Sequence, residues 1–363
     1  MERIMFPTID DMTRPESLTA LINRPITKTR LAPYQIAGWS STESQFLAVE
    51  IDDAEYPHFV LKRMVRERDW VMQMTEDQHW RAVAIWQYGL LDNLPEEIDH
   101  AIIACAIDGD GYAFLMRNVT HALLGEGNSL SEADNEFNLN AMAALHATFW
   151  GDAALHNPIL NLCSPENLFT HTAPEKINRI APDNPAPVFD MMQEGWRLLP
   201  TFVDEDVVDL LLALARDPQP LCNAFLDYPQ TLVHGDWRTD NFGIEHGDTT
   251  RLVLLDWARP TLTVPTVDLA YYLVTSWADL PISKESTIDL YRQYLVRHLG
   301  RRFNESWWQP MLELSLLSAF LMIGCFKAWS IAHTEDEELR MERQADLIWW
   351  SERVQIGAKW LAD

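Results

Sequence analysis

Apolar and polar residues alternate with the period of a strand in the first 117 residues of the chain. The alternation predicts strands over the segments 34–39, 46–51, 58–64, 101–107 and 112–116. The last two segments flank the sequence DGDG, which is typical of a tight hairpin turn. Between the third and fourth strands, apolar residues recur at helical spacing over 75–91. This pattern predicts a small antiparallel sheet with one main helix.

Beyond Arg117 the apolar positions recur mainly at helical spacing. The predicted helices span 131–150, 201–215, 268–278, 284–299, 307–332 and 335–361. Two proline-rich stretches, 157–187 and 217–230, are predicted to be irregular connections on the surface. A chain of 363 residues is long enough for two domains. We therefore predict an α+β chain with a first domain over 1–117 and a second, mostly helical domain over 118–363.

The charge balance excludes some classes of partner. The chain carries 28 basic and 54 acidic residues, for a net charge of −26. A surface this acidic repels phosphate backbones and anionic lipid headgroups, so we expect neither nucleic acid nor a membrane as a partner. Two interpretations of the charge stay open: it maintains solubility, or it attracts a cationic small molecule.

The cysteines and the apolar runs indicate a compartment. The four cysteines lie far apart in the sequence, and no basic segment followed by an apolar one opens the chain. The longest uncharged apolar run, 315–326, is shorter than a membrane span and is predicted to be a buried helix. We therefore expect a cytoplasmic protein with reduced thiols.

The most informative polar residues follow two short apolar segments. The first segment leads into His234, Gly235 and Asp236, and Asn241 comes five residues after Asp236. The second segment leads into Asp256. Carboxylates at the ends of buried strands are costly unless they bind something, and these oxygen-bearing side chains suit a hard cation and a proton acceptor. Phosphoryl transfer requires both of these.

This arrangement resembles the catalytic core of protein-kinase-like enzymes, and HGD in place of HRD resembles the aminoglycoside phosphotransferase and choline kinase branch. Other segments carry the same resemblance in the same order along the chain. They are the strand end at 60–62, the apparent interlobe hinge at 114–118, the helical segment at 145–150 and the aspartate segment at 267–270. The resemblance implies a two-lobe protein-kinase-like fold, with a small antiparallel-sheet N-lobe and a larger helical C-lobe.

The resemblance also implies a role for each matching residue. Asp236 would accept or orient the proton of the substrate hydroxyl, while Asn241 and Asp256 would hold Mg²⁺. The nucleotide would be ATP or alternatively GTP. Its phosphates would be covered by Ser40, Ser41, Thr42 and Ser44, and Lys62 would contact the α- and β-phosphates. The adenine edge would meet the main chain of Leu115, Met116 and Arg117. Two roles stay open for Arg238: it offsets charge on the transferred phosphate, or it pairs with Asp240.

One departure from the family pattern concerns the partner of Lys62. The family often carries an Arg-Glu pair whose glutamate anchors this lysine, and the matching residues here are Arg81 and Ala82. We expect a substitute carboxylate, for example Glu76, within about 4 Å of the Lys62 amine.

The function implied by the resemblance is an ATP-dependent phosphotransferase. It would move the γ-phosphate to a hydroxyl of a small molecule such as an amino sugar, an amino alcohol or a similar metabolite. The alternative, motivated by Ala82, is a nucleotide-binding pseudokinase with little or no activity.

Overall fold

In a computed structural model that describes residues 3, 5–34, 45–52, 58–124, 129–184, 186–276 and 278–361, a five-stranded antiparallel sheet forms the N-terminal part. The strands of the described residues are β1 (Thr29–Pro33), β2 (Gln45–Ile51), β3 (Phe59–Met64), β4 (Ile98–Asp99), β5 (Ile102–Asp108), β6 (Gly111–Arg117), β7 (Thr231–Val233), β8 (Phe242–Glu245), β9 (Arg251–Leu254) and β10 (Thr261–Thr263). The large sheet has the order β1-β2-β3-β6-β5. The predicted hairpin is confirmed, with Asp108 opposite Gly111 at the β5–β6 turn.

The first predicted strand differs in position. β1 ends at Pro33 and pairs with β2, so the chain enters the sheet earlier than the alternation indicated. Most of the predicted segment 34–39 lies outside the described residues, as do the predicted phosphate-binding residues Ser40, Ser41, Thr42 and Ser44.

The predicted helix over 75–91 is wrong in extent. The described helices are α1 (Ile9–Thr13), α2 (Pro15–Ile22), α3 (Trp70–Met74), α4 (Arg81–Gln87), α5 (Glu132–Thr148), α6 (Pro165–Phe169), α7 (Pro174–Ile180), α8 (Val188–Leu198), α9 (Glu205–Arg216), α10 (Gln219–Phe225), α11 (Thr266–Thr275), α12 (Lys284–Leu299), α13 (Glu305–Ala332) and α14 (Glu337–Gly357). Asp69 caps α3 through the backbone N–H of Met72, and the Asp77 carboxylate accepts from the backbone N–H of Arg81 at 2.7 Å. Trp80, between the two helices, has a φ of +55°. Of these two short helices only α4 falls within the predicted segment, and α3 ends one residue before it.

The C-terminal part is mostly helical, as predicted, but its proline-rich connections are more regular than expected. The stretch 157–187 contains α6 and α7, and 217–230 contains α10. Pro165 and Pro174 occupy the first turns of their helices, where proline is tolerated because that N–H has no partner inside the helix. The interpretation of these stretches as irregular surface connections is therefore wrong.

The helix α13 forms the centre of the C-terminal part. It packs against α8, α11 and α14. By length and composition α13 alone, among the described helices, could span a membrane, but 83% of its most apolar window is buried inside the protein. The apolar run at 315–326 thus belongs to a core helix, as predicted.

Candidate active site

The loop after β7 places Asp236 in the interior. β7 pairs with β10, and the chain then turns through His234 and Gly235. Gly235 has a φ of +75°, and a Cβ atom there would lie 2.3 Å from the carbonyl oxygen of Arg259. A side chain at this position would collide with backbone and strain the turn, so the sequence requires glycine immediately before the aspartate.

Asp268, at the start of α11, holds this loop in place. Its carboxylate accepts hydrogen bonds from the backbone N–H groups of His234 at 2.7 Å and Gly235 at 2.8 Å. It also contacts Nε2 of His146 at 3.2 Å, and both side chains are fully buried. The His234 ring in turn lies 2.9 Å from the carbonyl oxygen of Leu255, the residue before Asp256. His234 and Asp268 thus act as internal braces of this loop.

Two arginines surround the Asp236 carboxylate. Arg259, which is almost fully buried, forms an ion pair with Oδ1 of Asp236, and Nε of Arg238 lies 3.7 Å from the same oxygen. Burial by itself would raise the pKa of Asp236, but the charges of Arg259 and Arg238 outweigh it and hold the pKa at about 2. Asp236 is therefore ionised throughout the physiological range.

Arg259 was missed by the sequence reasoning. Its guanidinium also contacts Nε2 of His171 at 2.9 Å and the hydroxyl of Tyr271 at 2.8 Å. The only sequence signal was its place three residues after Asp256 in the segment RLVLLDWARP. Arg238 pairs with Asp240 at 3.2 Å, which is the contact expected for the second of the two roles considered for it.

The Lys62 amine pairs with Asp256. The Nζ–Oδ1 distance is 2.8 Å, across 194 residues of sequence. Burial lowers the pKa of Lys62, but the Asp256 carboxylate more than compensates and raises it. Burial likewise raises the pKa of Asp256, and the Lys62 charge outweighs this and lowers it. The backbone at Asp256 has a φ of +59°, a conformation unusual for a residue other than glycine and more frequent at functional sites.

The expected substitute carboxylate for Lys62 is confirmed, but it is Asp256 and not Glu76. Glu76 pairs with Arg179 at 2.9 Å, and Ala82 lines the cavity that contains Lys62. A second carboxylate, Asp69, lines the same cavity and was also missed. Burial raises the pKa of Asp69 to about 6, although the Met72 N–H and the Lys62 charge act in the opposite direction.

Asn241 comes just before β8, and Asp256 comes shortly after β9, the partner strand of β8. The backbone N–H of Leu255 donates to the backbone carbonyl of Asn241 at 2.8 Å. The Nδ2 atom of Asn241 donates to the backbone carbonyl of Asp236 at 2.9 Å, which orients the amide. The side-chain oxygen of Asn241 and the Asp256 carboxylate are hard oxygen donors, the type that Mg²⁺ binds together with substrate phosphates. No larger cluster of metal-binding side chains occurs among the described residues, so such an ion would depend on ligands from the nucleotide. The donor set therefore fits Mg²⁺.

A cavity of about 280 Å³ lies between the large sheet and these loops. Its lining includes Lys62, Asn241 and Asp256, together with Met116 and Arg117 of the predicted hinge. The third hinge residue, Leu115, is fully buried and does not line the cavity.

The predicted main-chain contact at the hinge is corrected by this geometry. β6 continues to Arg117, whose backbone N–H donates to the carbonyl oxygen of Ala101 at 2.9 Å. The main chain of 115–117 therefore belongs to the sheet. The next segment, 118–120, follows the strand and lines the cavity.

A second cavity, of about 260 Å³, lies on the other side of the loop. Asp236, Arg259 and Tyr271 line it, as do residues from α13 and α14. Arg238 lines both cavities. The two spaces therefore meet near the Asp236 loop.

The chain is similar to several solved structures. Among solved structures, choline kinase from Cryptosporidium parvum Iowa II is 12% identical, with 91% of each chain covered and a TM-score of 0.48. Choline kinase from Streptococcus pneumoniae is 12% identical, with 93% of this chain and 96% of that chain covered and a TM-score of 0.48. An aminoglycoside phosphotransferase from Streptomyces rimosus is 13% identical, with 82% and 92% covered and a TM-score of 0.44. None of the curated proteins matches the sequence.

The family itself is shown by the sequence. Residues 101–307, which are more than half of the chain, match the phosphotransferase enzyme family, abbreviated APH. The resemblance drawn from the HGD loop and the predicted two-lobe protein-kinase-like fold are both confirmed. The chain belongs to the phosphotransferase enzyme family.

Proposed function

We propose that this protein transfers the γ-phosphate of ATP, or alternatively GTP, to a hydroxyl group of a small molecule in the cytoplasm. The observation that carries the proposal is the meeting of two cavities at the Asp236 loop. One cavity contains Lys62, Asn241 and Asp256, the other contains Asp236, and Arg238 lines both. Such an arrangement suits a phosphate donor in the first cavity and an acceptor in the second.

The first cavity supplies groups that bind a nucleotide with its cation. Lys62 is a charged donor for phosphate oxygens, and Asp256 and Asn241 would hold Mg²⁺. When bound, the cation would neutralise charge on the phosphates. The Lys62–Asp256 pair keeps both side chains in place before the nucleotide arrives.

Asp236 orients the acceptor in this proposal. A strong general base has a pKa near the working pH, whereas the pKa of Asp236 is about 2. Phosphoryl transfer depends mostly on positioning and charge stabilisation, so a weakly basic carboxylate is sufficient. Because both arginines contact Oδ1, we expect Oδ2 to accept the hydroxyl hydrogen. Arg238 is placed to offset charge that develops on the transferred phosphate.

The test is the substitution Asp236→Asn. We expect turnover with an alcohol that the wild-type protein phosphorylates to fall by about 10²–10⁴-fold, because the neutral amide lacks the negative charge that orients the hydroxyl and receives its proton. Nucleotide affinity, measured by calorimetry with Mg-ADP, should stay unchanged and would show that the variant is folded. The matched control is Asp248→Asn, since Asp248 is exposed in the turn between β8 and β9.

Two outcomes would contradict the proposal. If the wild-type protein does not bind Mg-nucleotide, the donor cavity is misassigned. If it binds nucleotide but no alcohol from a broad panel accelerates the formation of ADP from ATP, the protein is a nucleotide-binding pseudokinase instead.

A further inference from the structure

The cavity beside Asp236 is lined by more basic than acidic side chains. Among the described residues, four basic side chains and two carboxylates line it. The basic ones are Arg238, Arg259, Lys327 and Arg343, and the carboxylates are Asp236 and Asp346. This local balance is opposite in sign to the net charge of −26 of the whole chain.

Both carboxylates already have basic partners. Asp236 is paired with Arg259. Asp346 is buried and forms ion pairs with Lys327 at 2.5 Å and Lys284 at 2.7 Å, so one carboxylate pairs with two ammonium groups. An ammonium group on a ligand would have to displace one of these partners. The cavity is therefore a poor site for a cationic acceptor.

Arg343, one turn before Asp346 on α14, has neutral partners. Its guanidinium donates to the carbonyl oxygen of Ser330 at 3.1 Å and to the hydroxyl of Thr334. Closer to Asp236, the Nε atoms of Arg238 and Arg259 are buried and have no hydrogen-bond acceptor among the described residues. A buried donor without an acceptor is costly, so these groups favour a ligand that supplies oxygen acceptors.

The rest of the lining is partly polar, with His171, Tyr271, Thr275 and Ser330, and otherwise apolar. The apolar part includes Val71, Val188, Val274, Ile323 and Phe326. A volume of about 260 Å³ limits the ligand to a small body in contact with these side chains. A molecule that fits would combine a hydroxyl near Asp236, a compact carbon skeleton and an anionic group beside the basic side chains that line the cavity.

We propose that the acceptor is a small hydroxylated oxyanion, a molecule that carries a carboxylate or a phosphate monoester in addition to the hydroxyl that is phosphorylated. The inference rests on the proposed function for the identity of the reaction and on the cavity for the class of acceptor. The attraction of a cationic acceptor by the net charge is the weaker argument, because exposed charges are screened beyond about 8 Å at physiological salt. The charges that touch the ligand decide its class.

The first experiment uses calorimetry to compare ligands that share a four-carbon chain, with the wild-type protein and no nucleotide. The probes are 4-hydroxybutyrate, 4-hydroxybutyl phosphate, the neutral 1,4-butanediol and the cationic 4-aminobutanol. We expect one or both anions to bind at least tenfold more tightly than the neutral and cationic probes, and the comparison of the two anions separates carboxylate from phosphate recognition. Equal binding, a preference for 4-aminobutanol, or failure of both anions to bind would overturn the proposal.

The second experiment locates the anion by substitution. Arg343→Gln should raise the dissociation constant of the preferred anion by about 10- to 100-fold, since a hydrogen bond to a charged group is lost. Arg343→Lys should restore part of the affinity. Arg340→Gln is the matched control, because Arg340 lies one turn away on α14, does not line the cavity and pairs with Glu337 at 3.7 Å. An unchanged anion affinity in Arg343→Gln would contradict the assignment.

Titration with Mg-ATP separates this inference from the proposed function. If Mg-ATP fails to bind while anions bind as expected, the phosphotransferase proposal fails and the anion site stands. If Mg-ATP binds and a cationic alcohol is the best phosphate acceptor, the reaction stands and the acceptor class is wrong.

Discussion

At the scale of single residues, Asp69 combines a stability cost with an expected function. Its carboxyl lies in the cavity that contains Lys62, where burial raises its pKa to about 6. Its pKa in the unfolded chain is about 3.9, so the folded state binds the proton more tightly and folding stability falls as pH rises between these values. Above pH 6 the charged Asp69 therefore destabilises the fold by roughly 3 kcal/mol.

We predict that Asp69→Asn stabilises the protein at pH 7.5 and impairs its activity. Asparagine also caps helices well, so α3 should persist. The gain in the free energy of unfolding should disappear below about pH 4, where aspartate is protonated in both states. The ratio kcat/KM for ATP should fall by about 10- to 100-fold, because Asp69 is the carboxylate available to orient Lys62 once Asp256 binds the cation.

Urea denaturation at pH 4 and pH 7.5 and steady-state kinetics test this prediction. Ala82→Glu in the Asp69→Asn background should recover part of kcat/KM if orientation of Lys62 is the function that is lost. Unchanged kinetics in Asp69→Asn would show that Asp69 does not act on Lys62 during turnover.

At the scale of elements, one buried carboxylate connects the helix α11, the loop after β7 and the helix α5. Asp268 at the start of α11 receives two backbone N–H groups of the loop after β7 and contacts His146 of α5. We predict that Asp268→Ala lowers the free energy of unfolding by about 3–5 kcal/mol, because it leaves buried donors without an acceptor. Asp268→Asn keeps one carbonyl acceptor and should lose less.

Chemical denaturation of both variants measures the difference. Because the loop carries Asp236, turnover should fall further in Asp268→Ala than in Asp268→Asn, even in the fraction that remains folded. A ranking in which Asp268→Asn is the less stable variant would contradict the role of Asp268 as an acceptor for the loop.

The elements also show which features a sequence can predict. The β5–β6 hairpin and the helix α12 were predicted within a residue or two, because the turn and the helical periodicity are local signals. The helix predicted from residue 75 starts only at Arg81, because the Asp77 carboxylate accepts from the backbone N–H groups of His79 and Arg81 and holds a turn there. The helix α3 was not predicted. The helices in 157–187 were missed because prolines that begin helices look like breakers.

The site divides in the same way. The HGD loop, Asn241 and Asp256 follow from motif spacing, and the structure brings Lys62 to them. Arg259 and Asp69 belong to no motif, and their importance depends on what burial places beside them. The basic side chains that line the cavity beside Asp236 were masked by an acidic composition, because composition averages over the whole chain.

At the scale of the whole molecule, the net charge of −26 acts on stability through repulsion. The compact state brings these charges closer together than the unfolded chain does, so screening them should favour folding. We predict that raising NaCl from 20 to 300 mM at pH 7.5 increases the free energy of unfolding by on the order of 1 kcal/mol and raises Tm by about 1–2 °C. Differential scanning calorimetry measures both quantities.

The internal control for this prediction is pH. Near the isoelectric point of about 4.7 the net repulsion vanishes, so the same change in NaCl should have little effect on Tm there. Buried pairs such as Lys62–Asp256 are screened much less than surface charges and should contribute little to the difference between the two pH values. An equal rise in Tm at both pH values would mean that salt acts through apolar burial, and a fall in Tm at pH 7.5 would mean that surface ion pairs outweigh the repulsion.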